Sequence, residues 1–134
     1  MKTMLKQVIC VLFLIHSFTI FSQQVNLISS SWKQLAFLNV NSSISQDHIL
    51  IHANDTYQKI KLTVLDAPIE IIDLVIVYEN GEQSKIAVRS VIMPGRGTRE
   101  FALSGKLRRI KSFEISYNAA TRNGKIAKLS IWGI

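Results

Sequence analysis

The sequence predicts an all-β protein: a single antiparallel sandwich of two sheets with about seven or eight strands. Short apolar or alternating segments follow one another along the chain, and each is bounded by turn residues. No segment keeps apolar residues at helical spacing for more than two turns, so alternating β and α units are not expected. The strand order stays open, because jelly-roll and immunoglobulin-like arrangements both fit such a series of strands.

A β-hairpin between Ile69 and Met93 is the central predicted element. Asn80-Gly81, a dipeptide typical of tight hairpin turns, separates its two strands. The first strand, Ile69 to Tyr78, is largely apolar at both odd and even positions, which is typical of a strand covered on both sides. We therefore expect it in the middle of a sheet, with the chain packed around it.

Alternation and turn residues predict the other strands. They are Trp32 to Val40, Asp47 to His52, Tyr57 to Leu65, Phe101 to Leu103, a strand ending at Tyr117, and Ile126 to Trp132. Trp32, Phe37 and Leu38 are expected in the core. The apolar phase slips before Tyr117, so that strand either begins near Lys111 or contains a β-bulge there.

The first 22 residues have the features of a secretory signal peptide. Lys2 and Lys6 precede an apolar segment from Val8 to Phe21, and small and polar residues follow. This segment is shorter than the roughly 20 residues of a membrane span. We expect cleavage after Ser22 and export to the periplasm or medium, with a retained anchor as the alternative. Residues 23–134 then form one domain without cysteine, since Cys10 lies in the leader.

Basic residues are concentrated in the second half of the chain. Residues 23–84 carry three lysines against seven acidic residues, whereas residues 85–134 carry eleven basic residues against two acidic ones. Such asymmetry indicates separate charged surfaces if the two halves segregate in space. Arginine forks suit oxyanions, so the sequence predicts an anion-binding surface, whose residues are Arg96, Arg99, Arg108, Arg109 and Lys111. The alternative is a solvated strand edge that resists aggregation.

Aromatic stacking on a neutral sugar is a second hypothesis. Trp132 and Tyr117 are its candidate residues, because aromatic rings present an apolar body beside a polar group. Burial of both tryptophans in the core is the competing interpretation. The two hypotheses differ in salt sensitivity, since contacts to charged groups weaken with salt and stacking does not.

Catalytic and metal-binding chemistry finds little support in the sequence. His48 and His52 are about 13 Å apart on a strand, too far to chelate one metal ion. Glu70 and Asp73 are expected on opposite faces of their strand, so they cannot act as a carboxylate pair. Asp73 is either a partnered buried charge, with Arg89 or a backbone amide as its partner, or the mark of a face change at the sheet edge. We expect no catalytic centre, metal or cofactor.

Several short motifs resemble small exported bacterial β-sandwich domains of unknown function. They are Trp32, Asp47-His48-Ile49, Asn80-Gly81, Leu103-Ser104-Gly105, Arg109-Ile110 and Ile131-Trp132-Gly133. The resemblance implies a sandwich fold and export, and it assigns no catalytic residues. The expected protein is therefore a binding module whose partner is an anionic glycan, a lipid headgroup or an acidic protein surface. Nucleic acid is not expected, because no aromatic residue interleaves the basic stretch.

Overall fold

The computed structural model describes residues 31–40, 46–52, 54–119 and 124–134. The predicted signal peptide lies outside these residues. The described chain forms eight strands: β1 (Lys33–Asn39), β2 (Gln46–Leu50), β3 (Lys59–Leu65), β4 (Ile69–Tyr78), β5 (Gln83–Ile92), β6 (Phe101–Ala102), β7 (Ile110–Ala119) and β8 (Lys128–Gly133). Within this part of the chain, no helix has the length and apolarity needed to cross a membrane.

The strands form two antiparallel sheets, as predicted. The first sheet has the order β1-β8-β3-β6 and the second has the order β2-β7-β4-β5. Each early strand pairs with a late one: β1 with β8, β2 with β7, β3 with β6 and β4 with β5. This nested pairing is the double Greek key of a jelly-roll, which resolves the alternative that the sequence left open.

The β4–β5 hairpin confirms the central element. β4 lies between β7 and β5, and Leu74, Ile76 and Tyr78 are buried in the core between the sheets. The turn carries Gly81 at φ +86°, a conformation that favours glycine. A strand with apolar residues on both faces therefore does occupy the interior of its sheet.

Two bulges shift the faces of the second sheet. At Ile72 the ladder between β4 and β7 slips by one residue, so the buried positions change from odd (Ile69, Ile71) to even (Leu74, Ile76). At Lys111 the same ladder slips again, because Val77 lies opposite Ser112 and Tyr78 lies opposite Ile110. The second bulge confirms one of the two interpretations of the phase slip.

The prediction of core residues in and beside β1 is partly wrong. Phe37 is 50% exposed, and the fully buried residues there are Ala36 and Val40. Phe37 lies opposite Ser130 in the ladder, which places it on the outer face of the first sheet. Trp32 is only partly buried, and the ammonium group of Lys61 lies 4.2 Å from its ring centroid. Leu38 packs against the core as expected.

Candidate anion-binding cleft

The jelly-roll brings the acidic and basic halves of the chain together. Three cations from the second half pair with acids from the first: Lys85 with Asp73, Arg108 with Glu82, and Lys128 with Asp66. The Lys128 hydrogen bond also lowers the pKa of Asp66. Arg108–Glu82 and Lys128–Asp66 join distant segments of the chain, whereas Lys85–Asp73 lies across the β4–β5 hairpin, so the charge asymmetry of the sequence is partly neutralised.

Arg108 is a structural residue of the hairpin end. Its guanidinium lies 3.9 Å from the ring centroid of Tyr78 and donates hydrogen bonds to the Ser104 carbonyl at 2.9 Å and the Asn80 side chain at 3.3 Å. It also pairs with Glu82 at 2.5 Å, and its side chain is 17% exposed. Stacking and charge-assisted hydrogen bonds thus use its donors inside the protein, so Arg108 is not free for an external anion.

The Arg108–Glu82 pair predicts a pH-dependent stability. The hydrogen bond from Arg108 lowers the pKa of Glu82 below the ordinary glutamate value of 4.5. Its stabilisation is therefore complete above that value and is lost as the pH falls through the lowered pKa. We expect Glu82→Gln to melt at a lower temperature than wild type at neutral pH, with the difference shrinking on acidification. Thermal melts between pH 7 and about 2.5, a range that spans the ordinary pKa of glutamate, measure the difference in melting temperature. A difference that stays constant with pH would contradict the prediction.

Arg96 and Arg99 lie in a cleft between the open edges of the two sheets. We call it the edge cleft; its volume is about 430 Å³, and its walls include Val88, Ser90, Ile92, Arg96, Arg99 and Phe101. β5 and β6 are the edge strands on this side of the sandwich. The guanidinium of Arg99 lies 4.5 Å from the ring centroid of Phe101. Among the described residues, neither Arg96 nor Arg99 has an ion-pair partner.

The turn that carries these arginines is fixed to β3. Val64 donates to the Arg96 carbonyl at 2.9 Å, and the Thr98 amide donates to the Leu62 carbonyl at 2.9 Å. Leu62 in turn donates to the Thr98 hydroxyl at 3.1 Å. Gly97 has no room for a side chain, because a Cβ there would lie 2.6 Å from the Leu62 carbonyl oxygen. The backbone therefore holds both arginines on one wall of the edge cleft.

The predicted basic surface is not one site. Gly97 lies opposite Thr63, and Arg108 lies opposite Tyr57. Tyr57 and Thr63 are six residues apart, which corresponds to about 20 Å of extended chain. Arg109 and Lys111 are exposed near Arg108. The Arg109 carbonyl accepts a hydrogen bond from Glu79 in the hairpin turn. Arg96 and Arg99 are thus brought together, while Arg109 and Lys111 stand apart at the other end.

A family model with the description "Domain of unknown function (DUF2541)" matches residues 7–133. The chain belongs to this family. That agrees with the resemblance to domains of unknown function seen in the sequence motifs. No curated protein matches the chain. Among solved structures, it is similar to one titled "Structural and functional characterization of Pseudomonas aeruginosa AlgX", with 14% identity and a TM-score of 0.49. That similarity covers 80% of this chain and 27% of the other.

The two aromatic candidates have different positions in this member of the family. Tyr117 is 0% exposed, and its hydroxyl donates to Asp47 at 2.5 Å. It cannot reach a sugar at the surface, which corrects its assignment. Trp132 is partly buried on the outer face of the first sheet, and its Nε1 donates to the Thr63 hydroxyl at 2.8 Å.

The bulge at Ile72 also corrects the expectation for Glu70 and Asp73. Because the faces change there, both side chains lie on the outer face of the second sheet. Glu70 accepts a hydrogen bond from Asn118 at 3.0 Å, and Asp73 pairs with Lys85 at 3.2 Å, not with Arg89. The structure confirms a face change beside Asp73 but not its expected position at a sheet edge, since β4 lies between β7 and β5.

His48 and His52 are exposed. Among the residues that the structure describes, no group of three or more histidine, cysteine or acidic side chains could hold a metal ion. The candidate site that the described residues offer is the edge cleft, where Arg96 and Arg99 lie together.

Proposed function

We propose that this protein is an exported, non-catalytic binding module that holds an anionic ligand in the edge cleft. The observation that carries the proposal is the position of Arg96 and Arg99, which share one cleft wall without acidic partners among the described residues. Two guanidinium groups suit a carboxylate, sulfate or phosphate group. The rest of the ligand would contact the apolar walls at Val88, Ile92 and Phe101.

The architecture of the cleft supports a specific site over a merely solvated edge. A backbone turn anchored by hydrogen bonds to β3 holds the two arginines, so their main chain does not have to become ordered when a ligand binds. Stacking on Phe101 restricts the guanidinium of Arg99. Preorganisation of this kind lowers the entropic cost of binding. A volume of about 430 Å³ falls within the usual range of small-ligand pockets.

Retention on immobilised sulfated polysaccharide in a salt gradient tests the proposal. We expect the double variant Arg96→Gln/Arg99→Gln to elute at lower salt than wild type. It should also lower the slope of log affinity against log salt by roughly one to two, since two charged contacts are removed. The matched control is Arg109→Gln/Lys111→Gln, which removes the same charge from exposed positions away from the cleft. It should retain clearly more binding than the cleft variant.

Equal losses in the two double variants would show that retention follows net charge and would overturn the cleft proposal. Arg108 stays unchanged in both, because its loss would disturb the hairpin end. Vesicles containing anionic lipid and an immobilised acidic protein, compared under the same salt conditions, distinguish a glycan from the other sources of the same oxyanion chemistry.

A further inference from the structure

The outer face of the first sheet carries three aromatic side chains that the core does not use. Gln34 and Phe37 of β1 lie opposite Trp132 and Ser130 of β8, respectively. Lys61 of β3 lies opposite Trp132 on its other side. Side chains that face each other across neighbouring strands lie on the same side of a sheet. Trp32 precedes β1 and joins this surface through Lys61, whose ammonium group lies 4.2 Å from the Trp32 ring centroid. We call this surface the aromatic face; its rings are Trp32, Phe37 and Trp132.

A hydrogen bond holds the Trp132 ring on the sheet. Nε1 of Trp132 donates to the Thr63 hydroxyl on β3 at 2.8 Å, so the indole extends along the sheet toward the next strand. Gln34 donates to the Ser130 hydroxyl at 3.1 Å, and Ser130 is 7% exposed although it faces outward. Phe37, which lies opposite it, is 50% exposed. Trp132 is therefore fixed against the sheet, and Phe37 is exposed on the same face.

We propose that the aromatic face binds a neutral polysaccharide with β-linked pyranose rings. The flat faces of such sugars present C–H groups that stack on aromatic rings, while their hydroxyls need hydrogen-bonding partners at the edges. Gln34, which is exposed, and the partly exposed Lys61 supply such groups beside the rings. The three strands span about 10 Å, which is comparable with a disaccharide.

The same arrangement argues against a protein partner on this face. A stable protein interface has a continuous apolar core and buries about 800 Å² on each partner. Here polar side chains separate the rings, and the ammonium group of Lys61 lies over the ring of Trp32. The alternation of rings and hydrogen-bonding groups suits a sugar chain better.

Tryptophan fluorescence gives a direct test, because the chain contains two tryptophans and both belong to the aromatic face. We expect cellohexaose or chitohexaose to change the emission of the full chain and to reduce its quenching by acrylamide. Binding should persist at about 0.5 M salt, where charged contacts are screened. Trp132→Ala and Phe37→Ala should weaken it by about tenfold each.

The controls separate this site from the edge cleft and from loss of folding. Leu107→Ala removes an exposed apolar side chain from a loop outside the aromatic face and should leave the affinity unchanged. Arg96→Gln/Arg99→Gln should also leave it unchanged, so either proposal can fail without the other. Thr63→Val keeps both indoles but removes the partner of Trp132, and should weaken binding in a protein whose circular dichroism matches wild type. No response to either oligosaccharide, or equal affinity in Phe37→Ala, would overturn the inference.

Discussion

Replacing Ile76 with alanine should lower the free energy of unfolding by about 2–5 kcal/mol. Ile76 is 0% exposed and lies on β4 opposite Phe113 of β7 and Ser84 of β5. Truncation there removes apolar contacts and leaves a cavity between the sheets, which a close-packed interior fills only in part. Urea unfolding, monitored by far-ultraviolet circular dichroism, gives the difference between the variant and wild type.

The next residue along β4 provides the matched control. Val77 lies on the outer face of the same strand and is partly exposed, so Val77→Ala keeps the same backbone position but removes less buried surface. We expect a loss of about 1 kcal/mol or less. Similar losses at both positions would contradict a core that lies on one side of β4.

Gly97→Ala should both destabilise the protein and weaken anion binding. A Cβ at this position would lie 2.6 Å from the Leu62 carbonyl oxygen, so the turn must move away from β3. Forced overpacking of this kind costs about 1–3 kcal/mol. Because the same turn positions Arg96 and Arg99, we also expect earlier elution from sulfated polysaccharide. Urea unfolding and the salt gradient measure the two effects.

Gly81→Ala separates these two effects. Gly81 has φ +86° and open space where a Cβ would lie, so the substitution costs stability through backbone strain, by about 1–2 kcal/mol, at a turn away from the edge cleft. Anion retention should remain at the wild-type level. Equal retention in Gly97→Ala and wild type would show that the turn does not position the binding groups.

The sequence predicted the strands well where local pattern determines structure. Apolar residues at odd and even positions of β4 indicated a strand in the interior of its sheet, although Val75 and Val77 on its outer face remain partly exposed, and Asn80-Gly81 identified the turn. The phase slip near Lys111 was visible because apolar residues changed from even to odd positions. Each of these patterns is formed by residues close together in the sequence, so it can be recognised before the strand order is known.

Other features depend on contacts between distant segments and could not be predicted. Phe37 and Ala36 are adjacent apolar residues, and only the register with β8 determines that the smaller one is buried. The alternation of apolar residues did indicate that Tyr117 is buried, because Tyr117 shares the phase of the core residues Phe113 and Ile115. Arg108 looked like any other cation in a basic stretch, since its partners Tyr78 and Glu82 come from a hairpin that the topology brings beside it.

Chemical-shift mapping by nuclear magnetic resonance, with a sulfated disaccharide as the probe, tests most directly whether the edge cleft is the anion site. We expect the amide signals of Gly97, Thr98 and Arg99 to shift progressively with added disaccharide. The signals of Arg109 and Lys111 should move little, and the shifts should be lost in Arg96→Gln/Arg99→Gln. Shifts centred on Arg109 and Lys111, or spread evenly over exposed basic residues, would contradict a site in the edge cleft.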